Sequence, residues 1–190
     1  MAKTDADFEA LAKEVRYLRD RADIQDCIYR YCRGLDRLDR DMALSAYHPD
    51  AIDDRGPHIG SPAEFLDWVW PHLKGGTSHA ISQILYDING DEAHAESYIT
   101  FHVFTAGEDT VTFGMARYVD RLERRNGRWG IVYREALIDY RGSFKGSTSD
   151  GGAFAGKRNK EDRSYARPLG LTDDARRRLA EKKAGARATA

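Results

Sequence analysis

The chain is short of cysteine, has no long apolar run, and carries no surplus of charge of either sign. Each shortage excludes something. Its two cysteines, Cys27 and Cys32, lie five apart on one predicted helix, a spacing that puts them on different faces and matches neither a disulfide scaffold nor a zinc knuckle. They read as core thiols kept reduced in a cytoplasm. No window reaches the ~20 apolar residues that a membrane-spanning helix needs, and the first residues carry Asp and Glu where a secretory signal would be basic. A soluble, cytoplasmic protein without a membrane partner is expected. With 30 basic against 31 acidic residues and arginine spread along the chain until its C-terminal stretch, there is no basic stripe to bind nucleic acid.

What is present is one domain's worth of chain, 190 residues with a 41% hydrophobic share. Phe8, Leu11, Val15 and Leu18 recur at helical spacing, and Ile24, Cys27, Ile28, Tyr31 and Leu35 read as a continuation, loosening at Gly34. A short helix over 42–47 should end at His48-Pro49, because the residue before proline is pushed out of the α region, with a short strand at 51–54. Ser61-Pro62-Ala63-Glu64 has the form of a helix start: serine cap, proline at the first helical position, glutamate closing a capping box. Phe65, Trp68, Val69 and Leu73 would be the apolar face that follows. From His79 the period changes to two, and Asn89-Gly90-Asp91 and Asn126-Gly127 are hairpin turns between strands over 79–88, 93–104, 111–123 and 129–140. Helices followed by an antiparallel meander make an α+β layout. After Tyr140 the composition shifts to Gly, Ser and Lys, and after Leu171 to Arg, Lys and Ala. The expected division is a folded unit over 1–142, a segment over 143–170 packing as a flap, and a charged, helical or frayed tail over 171–190.

Asp36 stands at the end of an apolar helical face, and Thr77-Ser78-His79 stands at a strand start. A carboxylate accepting the Nδ1 proton of an imidazole fixes its tautomer and leaves Nε2 as a general base near neutral pH. The bland alternative is a capping aspartate and a surface or core histidine. Two other patterns do not hold up. Residues 151–157 have phosphate-loop spacing but continue with Arg158 where Ser or Thr is needed. Asp50, Asp53, Asp54 and His58 could be imagined as metal ligands, yet consecutive strand residues point to opposite faces, so no metal site is expected.

Several motifs together are those of a known family: Ile24-Gln25-Asp26, Tyr31 five residues before Asp36, Tyr47-His48-Pro49-Asp50-Ala51, Thr77-Ser78-His79, Gly114 to Tyr118 leading to Asp120-Arg121-Leu122-Glu123-Arg124, and Gly127-Arg128-Trp129. Over about 18–140 the chain resembles the SnoaL-like branch of the NTF2-like superfamily, which includes scytalone dehydratase, hexachlorocyclohexane dehydrochlorinase and bile acid 7α-dehydratase. The resemblance implies a cone-shaped barrel of N-terminal helices on a curved, mixed, mostly antiparallel sheet. Its pocket would hold Asp36 and His79 as a catalytic pair. It also implies that Tyr31 bonds a substrate oxygen or acts as an acid, although a core tyrosine is an equal reading of that residue. His102 would be a second acid if it shares an inward face with Tyr98 and Thr100. Arg134 would bind a leaving anion or oxyanion, unless it is a salt-bridge partner of Glu135 or Glu96. Asp53, Phe65, Trp68, Phe101, Phe113 and Phe144 would line a pocket for a hydrophobic, aromatic or polycyclic substrate.

The activity so implied is a cofactor-independent lyase that abstracts a proton and expels water, halide or formaldehyde, for example from a steroid or a lignin-derived diaryl compound. Polyketide cyclase or isomerase chemistry is the rival enzymatic reading. A ligand-binding module or oxygenase β-subunit is the non-catalytic one. The family also implies a homo-oligomer, a trimer ahead of a dimer.

Overall fold

A computed structural model describes residues 4–105, 107–146 and 156–188. The chain divides into two units, 1–150 and 151–190. Most of 151–157, and the middle of the expected flap, lie outside the described residues.

The first unit begins with α1 (Asp5–Asp36), capped reciprocally: the Thr4 hydroxyl accepts from the Asp7 N–H, and the Asp7 carboxylate accepts from the Thr4 N–H at 2.8 Å. Its C-terminal half buries Asp20, Ile24, Cys27, Ile28, Tyr31, Cys32 and Leu35. Phe8, Leu11, Val15 and Leu18 do not continue that face and are 45–60% exposed. At about 100° per residue, the two sets are centred roughly 150° apart, on opposite sides of one unbroken helix. Nor does Gly34 loosen the helix. A Cβ there would lie 2.5 Å from the Ala43 backbone nitrogen, so glycine is what lets α2 (Arg40–Leu44) cross α1 closely.

Strand β1 (Tyr47–Asp54) starts earlier than expected, where helix was expected to persist, and takes in Pro49 at a register shift between Tyr47 and Ile52. A bulge is where a sheet tolerates proline's missing donor. A short β2 (Ile59–Gly60) pairs back on β1. Then α3 (Pro62–Leu73) opens with the expected box: the Ser61 N–H donates to Glu64 Oε2 at 2.7 Å, and the Glu64 N–H to Ser61 Oγ at 3.3 Å.

The meander follows as β3 (Thr77–Asn89), β4 (Glu92–Phe104), β5 (Thr110–Arg125) and β6 (Arg128–Lys145). At the last turn Asn126 and Gly127 both take positive φ, 53° and 75°, the left-handed pair that a two-residue hairpin requires. Strand order is β2-β1-β6-β5-β4-β3, antiparallel except for the parallel pair β1 and β6. The sheet is mixed and open, the helices precede the meander, and the α+β expectation holds. One face is lined by Ala93, Ala95, Ile99, Phe101, Ala116, Tyr118 and Leu122, and the core of α1 packs there. Small residues on the strands let the helix approach.

The second unit has one turn of 3-10 helix at Arg163–Tyr165 and a charged helix, α4 (Asp173–Ala188). No helix among the described residues is long and apolar enough to cross a membrane.

Candidate active site

Asp36 is the last residue of α1, and His79 is the third of β3. The carboxylate reaches across and holds the histidine at two points: Oδ2 accepts the His79 backbone N–H at 2.9 Å, and Oδ1 lies 2.7 Å from Nδ1. A ring nitrogen that close to a carboxylate oxygen carries the proton, so Nε2 of the neutral ring is the unprotonated nitrogen. Burial works to raise the Asp36 carboxyl, but the ring and backbone hydrogen bonds and the imidazole's charge hold it below the ordinary carboxylate range. The two side chains are 17% and 10% exposed, shielded yet open enough to be reached. Phe101, opposite His79 on β4, packs its ring 6.4 Å from the imidazole. Its space comes from Gly114, where a Cβ would meet the Phe101 ring at 2.5 Å.

A second polar constellation lies inside the sheet. Asp53, Arg134 and Asp120 stand side by side on β1, β6 and β5. Arg134 and Asp120, both with wholly buried side chains, form a bidentate pair through Nε and Nη2 at 2.6 and 2.7 Å. Arg134 Nη1 donates to the Tyr47 hydroxyl at 3.3 Å, and that hydroxyl donates to Asp53 at 2.6 Å. Asp53 is also clasped by Arg55 through Nε and Nη2. Arg55 Nη2 reaches on to the Tyr31 hydroxyl at 2.8 Å. The cations sit over aromatic faces: Arg134 is 4.0 Å from the Tyr118 ring centre, and Arg55 is 4.3 Å from that of Phe65. Two arginines and two carboxylates cancel, which is what allows four charges to be buried together.

The electrostatics follow from that packing. Burial would raise the Asp53 carboxyl, but Arg55, Arg134 and the Tyr47 hydroxyl hold it low. Burial pushes Asp120 up against the pull of Arg134. Arg134 itself is raised well above its ordinary value: burial opposes its charge, and Asp120 more than compensates. Burial also raises the Tyr31 phenol well above its ordinary value, with Arg55 pulling it back. Cys32, packed among these charges, is pushed up to about 12 by burial.

The expected residues therefore fall into three groups. Asp36 and His79 meet, with Phe101 beside them. Tyr31, Asp53, Phe65 and Arg134 belong to the buried charge network. Asp53 and Arg134 are wholly enclosed, and the partner of Arg134 is Asp120, not Glu135 or Glu96. His102, Phe113 and Phe144 face the other way. Because His79 pairs with Phe101 while Ser78 pairs with His102 and His102 with Phe113, a two-residue period puts His102 and Phe113 on the outer face. There His102 stacks on Phe113 at 6.4 Å and meets the edge of Phe144 at 6.5 Å. The inward register expected for His102 does not hold, and the face it shares with Tyr98 and Thr100 is the outer one. Trp68, 48% exposed on α3, stacks on His58 at 5.8 Å. Among the described residues no group of three or more His, Cys, Asp or Glu is placed to hold a metal ion.

Sequence reasoning missed Arg55, Tyr47 and Asp120. Asp120 had left a signal, since Ala116, Tyr118 and Leu122 alternate with it on the buried face, and a carboxylate there demands a cation.

A family model for the SnoaL-like domain matches residues 16–135. The chain belongs to the SnoaL-like family. Solved structures agree with that fold. A hexachlorocyclohexane dehydrochlorinase of type 2 superposes with a TM-score of 0.66 at 19% identity, over 73% of this chain and 99% of its own. The type 3 enzyme from Novosphingobium barchaimii LL02 gives 0.63 at 20%, over 69% and 94%. A candidate scytalone dehydratase from Novosphingobium aromaticivorans DSM 12444 gives 0.61 at 17%, over 69% and 94%. A comparison with the curated proteins returned no match. At 17–20% identity these likenesses show the fold.

Proposed function

We propose that this SnoaL-like protein is a cofactor-independent lyase in which Asp36 and His79 act as a catalytic dyad on a hydrophobic aromatic or polycyclic substrate. The observation that carries the reading is the two-point hold of Asp36 on His79, through ring and backbone together. The backbone bond fixes where the imidazole stands, and the ring bond fixes its tautomer.

In the proposed reaction His79 Nε2 takes a proton from substrate carbon, and Asp36 stabilises the imidazolium through Nδ1. The electrons of the broken C–H bond form the double bond and expel the β leaving group with its own pair. Departing hydroxide needs a proton. With His102 on the outer face, Tyr31 takes that role: its hydroxyl accepts from Arg55, so its own O–H proton is left to donate. Loss of formaldehyde fits the same base, with His79 removing a hydroxyl proton and a carbon–carbon bond breaking. Polyketide cyclase or isomerase chemistry starts from the same abstraction and differs in its products.

Residues 1–142 would carry the activity. Association through the outer sheet face, where Met115, Leu137, Tyr140 and Phe144 are 39–55% exposed, would give a homotrimer.

The test is turnover of diaryl and polycyclic substrates bearing hydroxyl, halide or primary-alcohol groups. His79→Ala and Asp36→Asn are compared with wild type after folding is confirmed by circular dichroism. A loss on the order of 10²–10⁴-fold is expected for His79→Ala. Full activity in both variants would end the dyad reading.

A further inference from the structure

α1 has two apolar faces, and the domain uses only one. The unused one is Phe8, Leu11, Val15, Leu18, Ala22 and Tyr29, spaced alternately three and four residues apart until Ala22, with Gln25 continuing the pattern between Ala22 and Tyr29. That is the spacing of a coiled-coil seam, with Phe8, Val15, Ala22 and Tyr29 at a and Leu11, Leu18 and Gln25 at d. Every one of these side chains is exposed apart from Gln25, which is partly so. Phe8, Val15 and Leu18 are 56–60% exposed. Four large apolar side chains on one stripe of an all-exposed helical stretch are more than scattered surface hydrophobes.

The charges beside the stripe choose its occupant. In a parallel pair each g position faces the e position five residues later on the other helix. Here g is Glu14 and Arg21, and e is Arg19 and Asp26. Glu14 therefore meets Arg19 and Arg21 meets Asp26 across the pair, both attractive and neither repulsive. An antiparallel pair does less well: with Val15 opposite Leu18 it keeps Glu14 against Arg21 but leaves Arg19 and Asp26 unmatched, and with Leu18 opposite Ala22 it sets Arg19 against Arg19 and Arg21 against Arg21. The seam itself points the same way, because β-branched Val15 at a with leucine at d favours two strands. Since the stripe lies opposite the face packed on the sheet, two domains would sit on the outer sides of such a pair.

We propose that α1 over residues 8–29 pairs in parallel, in register, with α1 of a second copy of this chain. The domain supplies what an isolated short helix lacks. The helix is already nucleated, fixed at its C-terminal half by packing and closed at Thr4 by a capping box. The proposal stands apart from the catalytic reading, because its measurement is mass, not turnover.

The experiment uses the full chain. Phe8→Cys, oxidised with glutathione disulfide, should give a covalent dimer, since parallel pairing places position 8 against itself. Lys13→Cys, on the opposite side of the helix, should not. Cys27 and Cys32 are buried and leave the background clean. In sedimentation equilibrium Glu14→Arg should weaken self-association roughly tenfold, and adding Arg19→Glu should restore it. Leu11→Glu with Leu18→Glu should abolish the pairing through α1, leaving only association through the sheet face. No cross-link at position 8, a cross-link equally strong at position 13, or a charge swap that fails to recover association would each overturn the proposal.

Discussion

Replacing Arg134 by methionine tests whether that buried guanidinium supports the site or takes part in the chemistry. Arg134 gives Asp120 two hydrogen bonds of 2.6 and 2.7 Å, and both side chains are wholly buried. Methionine keeps most of the volume and leaves Asp120 as an uncompensated carboxylate inside the sheet. Removing one partner of a buried pair costs about 3–5 kcal/mol, roughly a fifth or more of the ~5–15 kcal/mol by which a domain is stable. The loss also has a pH signature. Burial already raises Asp120 with Arg134 present, and without it the folded-state value rises further above the unfolded value of about 3.9. A group raised in the folded state favours folding below its unfolded value, and that advantage is lost as pH climbs through the folded one. Relative to wild type, Arg134→Met should therefore be least damaged near pH 4 and lose up to about 1.4 kcal/mol for each pH unit until the folded value is passed.

Urea titrations at pH 5 and pH 8 read this directly. Asp120→Leu added to Arg134→Met should recover a large part of the loss, because exchanging both partners for apolar groups is often neutral. A loss under about 1 kcal/mol at pH 8, or the same loss at both pH values, would refute the reasoning. Lost turnover with unchanged stability would do so too, and would return Arg134 to the role of anion binder.

Two further outcomes follow from particular contacts. Gly34→Ala should destabilise by about 1–2 kcal/mol in urea, although alanine is about 1 kcal/mol the better helix former, because the new Cβ would sit 2.5 Å from the Ala43 nitrogen; a gain in stability would show that α2 yields. Asp36 is held below its ordinary value in the folded chain, so its stabilisation is complete above pH ~4 and lost as pH falls through the folded value. Urea titrations from pH 2.5 to 6 should therefore show the advantage of wild type over Asp36→Asn shrinking with acid, and a constant difference would contradict it.

Local signals in the sequence carried most of the fold. Capping boxes, left-handed hairpin residues and a period of two act over a few residues, so Ser61-Pro62-Ala63-Glu64, Asn126-Gly127 and the four long strands were readable without tertiary information. The helix α1 was readable as a helix but not as two faces, because period alone does not report phase. The clue was the gap of six between Leu18 and Ile24, which breaks the alternation of threes and fours. His102 failed on the same ground. Ala93, Ala95, Ile99 and Phe101 alternate inward on β4, and a strand that turns Phe101 in must turn His102 out.

Asp36 and His79 each interrupt a pattern at the end or start of an element, but it was the family resemblance that paired them. The charge network could not be read from the sequence, since it depends on which strands become neighbours. Asp53 and Arg134 meet only because β1 runs parallel to β6, a pairing that no local signal dictates. Once that pairing exists, the rest is forced. The cross-strand line Asp53, Arg134, Asp120 holds two carboxylates and one guanidinium, so a second cation must come to Asp53. Arg55 stands two residues along, on the same face, and its side chain is the least buried of the four charged groups. Its place beyond Asp53 puts that charge against the Tyr31 hydroxyl, so the acid side of the proposed chemistry is set by the charge balance of the sheet.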